Sequence, residues 1–228
     1  MRILLVAATK FEIRPSLNLI SLLSEENDRF IHFRCRKTFV DVVIPGIGMV
    51  QTAFHMGKIL AQANYDFALN AGVAGSYRGS IKLGEVVQVT EECITEMGAE
   101  DGENFLSMFE LGLMDPENHP YKGGRLINNS MIRSNALAKL PAVKGATSNT
   151  VHGNTESIRK ITTKFLPDIE SMEGAAFLYS CLSERIPCAE IRAVSNYVEE
   201  RDKSRWNLEL ALKNLNSVLP EIIKEICI

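Results

Sequence analysis

Asp168-Ile169-Glu170-Ser171-Met172-Glu173-Gly174-Ala175-Ala176-Phe177 reads as a strand over Asp168–Met172 that runs straight into a helix beginning near Gly174. Ile186 to Ser195 then returns as a second apolar run, completing a strand–helix–strand unit. The same alternation repeats upstream. Ile3 to Ala8 is a continuous apolar run ending at a polar turn, as expected of a strand buried on both faces. A helix follows from near Glu12, with Pro15 tolerated in its first turn. Phe39 to Ile44 predicts another buried strand, ending at Pro45-Gly46-Ile47-Gly48, and the next helix places Val50, Ala53, Phe54, Gly57 and Leu60 at helical spacing. Phe67 to Asn70 predicts a short strand delivering into a loop of small residues, Ala71-Gly72-Val73-Ala74-Gly75-Ser76. Glu85 to Thr90 is rich in branched residues, like a further strand.

Between Glu96 and Gly124 the periodicity fades, while Phe105, Met108, Phe109 and Leu111 keep the segment from reading as a linker. Beyond it the pattern predicts a helix near Ser130–Leu140, a strand near Ala142–Thr147 and a helix near Thr155–Phe165. The C-terminal helix carries one apolar stripe, Leu208, Ala211, Leu212, Leu215, Val218, Leu219, Ile222 and Ile226, with Pro220 expected to kink it. Strand and helix alternate along the whole chain, so residues 1–228 are expected to form a single three-layer α/β/α domain around a central mixed, twisted sheet.

Composition narrows the function. A net charge of −3 supplies no electrostatic footprint for nucleic acid or an acidic membrane surface. No apolar run approaches the ~20 residues needed to span a bilayer, and the N-terminus reads as a strand rather than a signal peptide. Cys35, Cys93, Cys181, Cys188 and Cys227 are odd in number and form no C-x-x-C pair, which suits reduced thiols in a cytoplasmic protein. His32, His55, His119 and His152 are scattered, so neither a metal nor another cofactor is expected. Gln51 stands where a dinucleotide fingerprint after Gly46-Ile47-Gly48 needs its third glycine.

Glu12, Gly72, Glu173 and Asn196 all fall just after predicted strands, where open α/β sheets gather their ligands. Glu12 also suits a helix first turn, where the macrodipole favours an acid, and Glu173 suits the same role.

Ser171-Met172-Glu173-Gly174-Ala175-Ala176, Arg192-Ala193-Val194-Ser195-Asn196 and Glu12 in its Ala7–Ile13 setting together resemble the purine nucleoside phosphorylase / methylthioadenosine nucleosidase superfamily. Within it, the tail Tyr197 to Trp206 and the stretch Gly98-Ala99-Glu100-Asp101-Gly102-Glu103 are most similar to the futalosine hydrolase branch. The resemblance implies a small-molecule nucleoside substrate. It implies Glu12 as the base that activates water, Glu173 as acceptor for the ribose hydroxyls, and Met172 as an apolar surface under the sugar. Arg192 would support the carboxylate or water network. Gly72 and Val73 belong to a glycine-containing turn that approaches the ligand, and Ser195 accompanies Asn196. Asn196 stands where the adenosine-type enzymes carry Asp, which implies a 6-oxopurine such as hypoxanthine as the leaving base. Arg201, with Lys203 and Arg205, offers partners for a substrate carboxylate. The 98–103 loop implies an approach to a neighbouring subunit, and hence a homodimer or larger assembly. Val73 in place of a common Ser, and the 152–157 stretch without an aromatic stacking residue, depart from the methylthioadenosine enzymes.

Three other functions compete: a phosphorylase, a methylthioadenosine/S-adenosylhomocysteine nucleosidase, and a nucleoside-binding module without catalysis. The carboxylate at Glu12 opposes the first, because an anion beside an anionic nucleophile is unfavourable in a water-poor cleft. Asn196 opposes the second. Retention of both Glu12 and Glu173 opposes the third.

Overall fold

In the computed structural model of the chain, which describes residues 1–20, 24–27 and 29–227, the apolar run Arg2–Val6 forms β1 inside the sheet. Ile3 to Val6 are shielded from both sides, so no polar alternation is needed. Next come α1 (Lys10–Ile20), β2 (Ser24–Asn27), β3 (Phe30–Cys35), β4 (Thr38–Val43), α2 (Met49–Leu60), β5 (Phe67–Ser76) and β6 (Val86–Ile94). A small hairpin, β7 (Gly98–Asp101) and β8 (Asn104–Ser107), and two short strands, β9 (Tyr121–Lys122) and β10 (Arg125–Ile127), fill the central excursion. The chain ends with α3 (Asn135–Ala138), β11 (Ala142–Thr147), α4 (Thr155–Phe165), β12 (Ile169–Ser171), α5 (Gly174–Ser183), β13 (Cys188–Tyr197) and α6 (Leu208–Ile226).

The sheet runs β2-β3-β4-β1-β5-β12-β11-β6-β10-β9, and β13 pairs parallel with β5 and antiparallel with β6. Strands β5, β12, β11, β6 and β13 therefore close into a ring. One face of the sheet packs on α1, α3 and α6 through Ile13, Leu17, Leu137, Ala211, Leu215, Leu219 and Ile222. The other packs on α2 and α5 through Met56, Ile59, Ala175, Phe177, Leu178 and Cys181. The mixed three-layer arrangement is the one expected from the alternation of elements.

Several local expectations change. Ala71 to Ser76 is not a loop but the second half of β5, paired with β13 across one register shift between Val194 and Asn196. Small residues persist there because neighbouring side chains occupy the space a Cβ would take. Helix α1 starts at Lys10, so Pro15 lies past its first turn. The helix expected over Ser130–Leu140 contracts to Asn135–Ala138, capped by the Ser134 hydroxyl accepting from Leu137 N. On α2 the buried residues are Thr52, Met56 and Ile59, while Val50 and Phe54 are 77% and 65% exposed. That helix carries two stripes, and the sheet takes the other one. Of the C-terminal stripe, Ala211, Leu215, Leu219 and Ile222 are buried as expected, Leu212, Val218 and Ile226 are half-buried and Leu208 is exposed, and α6 continues through a buried Pro220.

Candidate active site

The loop after β1, the second half of β5, the end of β12 and the end of β13 converge on a cavity of about 270 Å³. Glu12, Val73, Met172, Glu173, Ser195 and Asn196 line it, so most of the residues picked from sequence meet in one place. Gly72 and Arg192 lie beneath rather than in the wall. A Cβ at Gly72 would sit 2.5 Å from Arg192 Nη1 and 2.9 Å from Glu12 Oε1, so the missing side chain is what lets guanidinium and carboxylate pass under β5. Arg201 is exposed at the rim, its guanidinium 5.2 Å from the ring centre of Trp206, which lines the cavity.

Glu12 is held by two kinds of contact. Its Oε2 accepts from Thr9 N at 2.9 Å and the Thr9 hydroxyl at 3.0 Å, the carboxylate arm of a capping box written in the sequence as Thr9-x-x-Glu12. Its Oε1 accepts from Val73 N at 3.1 Å, on the cavity side. Burial raises its pKa above the usual carboxylate value, against the opposing pull of Arg192 and the two backbone N–H groups. A carboxylate tuned this way is suited to taking a proton.

Glu173 occupies the position before α5, where β12 hands over to the helix. Its Oε1 accepts from Gly48 N at 3.0 Å, and its Oε2 meets Arg192 Nη1 at 3.4 Å. Gly48 has φ +97°, a conformation that glycine adopts without strain, and this aims its N–H at the carboxylate. Asn196 sits at a register shift where β13 meets β5, opposite Gly75. A Cβ on Gly75 would fall 3.1 Å from Asn196 Nδ2, so the amide occupies space that glycine leaves open.

Sequence reading missed much of the wall. Phe11, Ile47, Val151, Trp206 and Leu208 supply much of its apolar part, and they come from four separate segments. Trp206, the single tryptophan, ends the Tyr197–Trp206 tail that carries the resemblance, but its place in the cavity wall is not legible from spacing. Glu170 also lines the cavity; it accepts from the Tyr77 hydroxyl at 2.6 Å and His152 N at 3.0 Å, and pairs with the His152 ring. A larger open groove of about 760 Å³ runs between the β7–β8 hairpin and α4; Gly98, Glu100 and Glu103 of the 98–103 stretch and His152 line it, but none of the residues expected to catalyse or bind the nucleoside does. The smaller cavity gathers Glu12 and Glu173 with Asn196 and is the better candidate. Among the described residues no cluster of His, Cys, Asp and Glu is arranged to hold a metal.

The profile of the Phosphorylase superfamily matches residues 2–224. A futalosine hydrolase from Thermus thermophilus is 31% identical over 183 residues, covering 79% of each chain. A 5′-methylthioadenosine/S-adenosylhomocysteine nucleosidase from Maridesulfovibrio salexigens is 25% identical over 99% of this chain and 100% of its own. Among solved structures, the native futalosine hydrolase of Helicobacter pylori superposes with a TM-score of 0.79 at 16% identity, over 99% of this chain and 98% of that one.

Proposed function

The chain belongs to the phosphorylase superfamily, and on that premise we propose that it is a nucleosidase that hydrolyses a 6-oxopurine nucleoside, futalosine, to hypoxanthine and the ribose-bearing remainder. The observation that carries this reading is the meeting of Glu12, Glu173 and Asn196 in one cavity. In the proposed reaction Glu12 takes a proton from water as the oxygen bonds to the anomeric carbon. Glu173 accepts hydrogen bonds from the ribose hydroxyls while the sugar passes through an oxocarbenium-like state. Asn196 donates to the purine edge on which negative charge develops as the glycosidic bond breaks.

Futalosine carries a carboxylate on its arm, and the basic tail offers a partner. Arg205 is tied to Glu199 at 3.0 Å and Asp202 at 3.6 Å. Arg201 has no acidic partner among the described residues and lies over Trp206 at the rim, which favours it for that carboxylate. A futalosine hydrolase would act in the alternative menaquinone pathway, and five free cysteines suit a reducing cytoplasm. No helix of the described residues is long and apolar enough to cross a membrane.

One observation favours the adenosine-type reading: the Maridesulfovibrio salexigens nucleosidase aligns over its entire length. Base release from futalosine, inosine and methylthioadenosine, each with and without phosphate, decides between them. Adenine released from methylthioadenosine in preference to hypoxanthine from futalosine would overturn the proposal.

A further inference from the structure

Beneath the cavity lies a cluster that the proposed reaction does not use. Glu92 on β6 and Glu190 on β13 are both 0% exposed, and Arg192, two residues along the same strand, is 1% exposed. Arg192 Nε donates to Glu190 Oε1 at 2.8 Å, and its Nη1 reaches up to Glu173 at 3.4 Å. Glu92 Oε2 accepts from the Thr147 hydroxyl at 2.8 Å. Glu92 Oε1, Glu190 Oε2 and Arg192 Nη2 are buried without a hydrogen-bond partner. The two acids meet on one side of Gly174, where a Cβ would collide with carboxylate oxygens of both, and Gly145 opens the same space for Glu92. Two glycines on separate elements thus make room for a pair of buried acids.

The charge balance in this pocket does not close with every acid ionised. Glu12, Glu92, Glu173 and Glu190 surround a single guanidinium, and the salt bridges of the cluster all come from Arg192 among the described residues. An unpaired buried carboxylate is among the most unfavourable groups a fold can hold, and protonation is the usual relief.

We infer that Glu190 is a positioning residue, fixing the Arg192 guanidinium under Glu173 and Glu12, and that Glu92 completes the cluster as a neutral carboxylic acid hydrogen-bonded to Glu190. One proton on Glu92 supplies a donor to a pair that otherwise holds only acceptors, and leaves Glu190 as the anion that faces Arg192. Burial, and then the neighbouring Glu190, push the Glu92 pKa well above its ordinary value, in keeping with this arrangement. For Arg192, burial alone would lower the pKa, but Glu190 and Glu173 outweigh it and raise it. The guanidinium is therefore a permanent charge, and its location is what remains to be set.

The inference about rate rests on the nucleosidase reading; the inference about Glu92 does not. The groups facing the cluster are Glu12 from α1, Glu173 and Cys181 from the α5 segment, Glu92 from β6, and Cys188, Glu190 and Arg192 from β13. Glu190→Gln keeps the shape and removes the anion. It should lower kcat at least tenfold and move the acidic limb of the rate profile to lower pH, because Arg192, released from Glu190, then acts more fully on Glu12. A merely structural loss would lower the folded fraction and leave that limb in place. Glu190→Asp, which keeps the charge, should recover part of both effects and decides the matter if the Gln variant does not fold.

Glu92→Gln mimics the neutral acid and should leave kcat within about threefold of the parent. Its effect on melting requires no activity. A folded-state pKa raised above the unfolded one means that the parent loses stability as pH rises above the ordinary carboxylate range. The Tm difference, Glu92→Gln minus parent, should therefore grow more positive from pH 5 to pH 8. A Glu190→Gln protein with parental kcat and an unmoved limb overturns the positioning role. A Tm difference that shrinks with pH overturns the neutral Glu92. If the parent hydrolyses no nucleoside, the functional reading fails while the melting test still reports on Glu92.

Discussion

The Ser195 hydroxyl donates to Asn196 Oδ1 at 2.8 Å, which ties down the amide oxygen from the protein side. One N–H of the same amide donates to Tyr197 O at 3.0 Å, leaving a second N–H for a ligand. An amide fixed this way presents a donor, which matches hypoxanthine, whose N7 and O6 are both acceptors. The protein should therefore prefer 6-oxopurine over 6-aminopurine nucleosides, and Asn196→Asp should narrow or invert that preference by about one to two decades in kcat/KM, the usual effect of mispairing one buried polar group. The check is kcat/KM for futalosine and its 6-amino analogue on both proteins. An unchanged ratio rules out the role.

Glu12→Gln should lower kcat by ~10²–10⁴ while substrate still binds, as expected when a general base is removed. Glu173→Gln should weaken both KM and kcat, since ribose contacts exist in the ground state and the transition state. A near-parental rate in Glu12→Gln would remove that residue from the mechanism.

The raised Glu12 pKa carries two signs. As a base the residue works ionised, so activity should rise with pH through an acidic limb placed above the ordinary carboxylate range. For stability, a folded pKa above the unfolded one favours the native state at low pH, and this contribution is lost as pH rises through the folded value. Glu12→Gln should accordingly gain Tm over the parent at neutral pH and gain little at pH 4. Thermal melts at the two pH values read this directly.

Gly72→Ala tests the passage under β5. The added methyl would meet Arg192 and Glu12, so the variant should lose about 1–3 kcal/mol of stability, the range for overpacking a filled interior, together with most of its activity. Gly57→Ala, inside α2 with open space around it, serves as the control: it should keep full activity and gain up to about 1 kcal/mol of stability from the better helix propensity of alanine. Denaturant titration and turnover on both variants make the comparison.

Cleavage should be independent of phosphate. Glu12 lines the cavity wall, where an anionic nucleophile would meet its carboxylate. Ribose 1-phosphate as product, with a rate that climbs with phosphate, would convert the assignment to a phosphorylase.

We expect a homodimer. Phe11 and Ile47, 65% and 55% exposed, line the cavity rim, and Val50 and Phe54 extend the apolar surface along α2. The 98–103 stretch, whose resemblance implies an approach to a neighbouring subunit, lies on the β7–β8 hairpin, and Phe105 of that hairpin faces Phe165 of α4 with ring centres 6.3 Å apart. Phe54→Asp should shift the mass in sedimentation from dimer to monomer. A monomeric parent with full activity contradicts the expectation.

The sequence by itself determined the layered α/β plan and the residues that bear charge at strand ends. Apolar runs such as Ile3–Val6 and the α6 stripe report burial directly, since only covered segments tolerate them. Glu12, Glu173 and Asn196 stood out because each follows a run of that kind. What adjacency in the chain does not encode is which of two apolar stripes a helix buries, and that is why α2 turned Met56 and Ile59 inward and left Val50 and Phe54 outside. The same limit hid the reach of β5 through Ala71–Ser76. Small residues read locally as a loop, but a glycine in a strand is stable when distant side chains fill its missing Cβ, and here Arg192, Glu12, Asn196 and Val198 do so. The buried Glu92–Glu190–Arg192 cluster is likewise a product of tertiary structure alone. Glu92 lies on β6, about a hundred residues before Glu190 and Arg192 on β13, and the burial that sets their charge exists only once the ring of strands has closed.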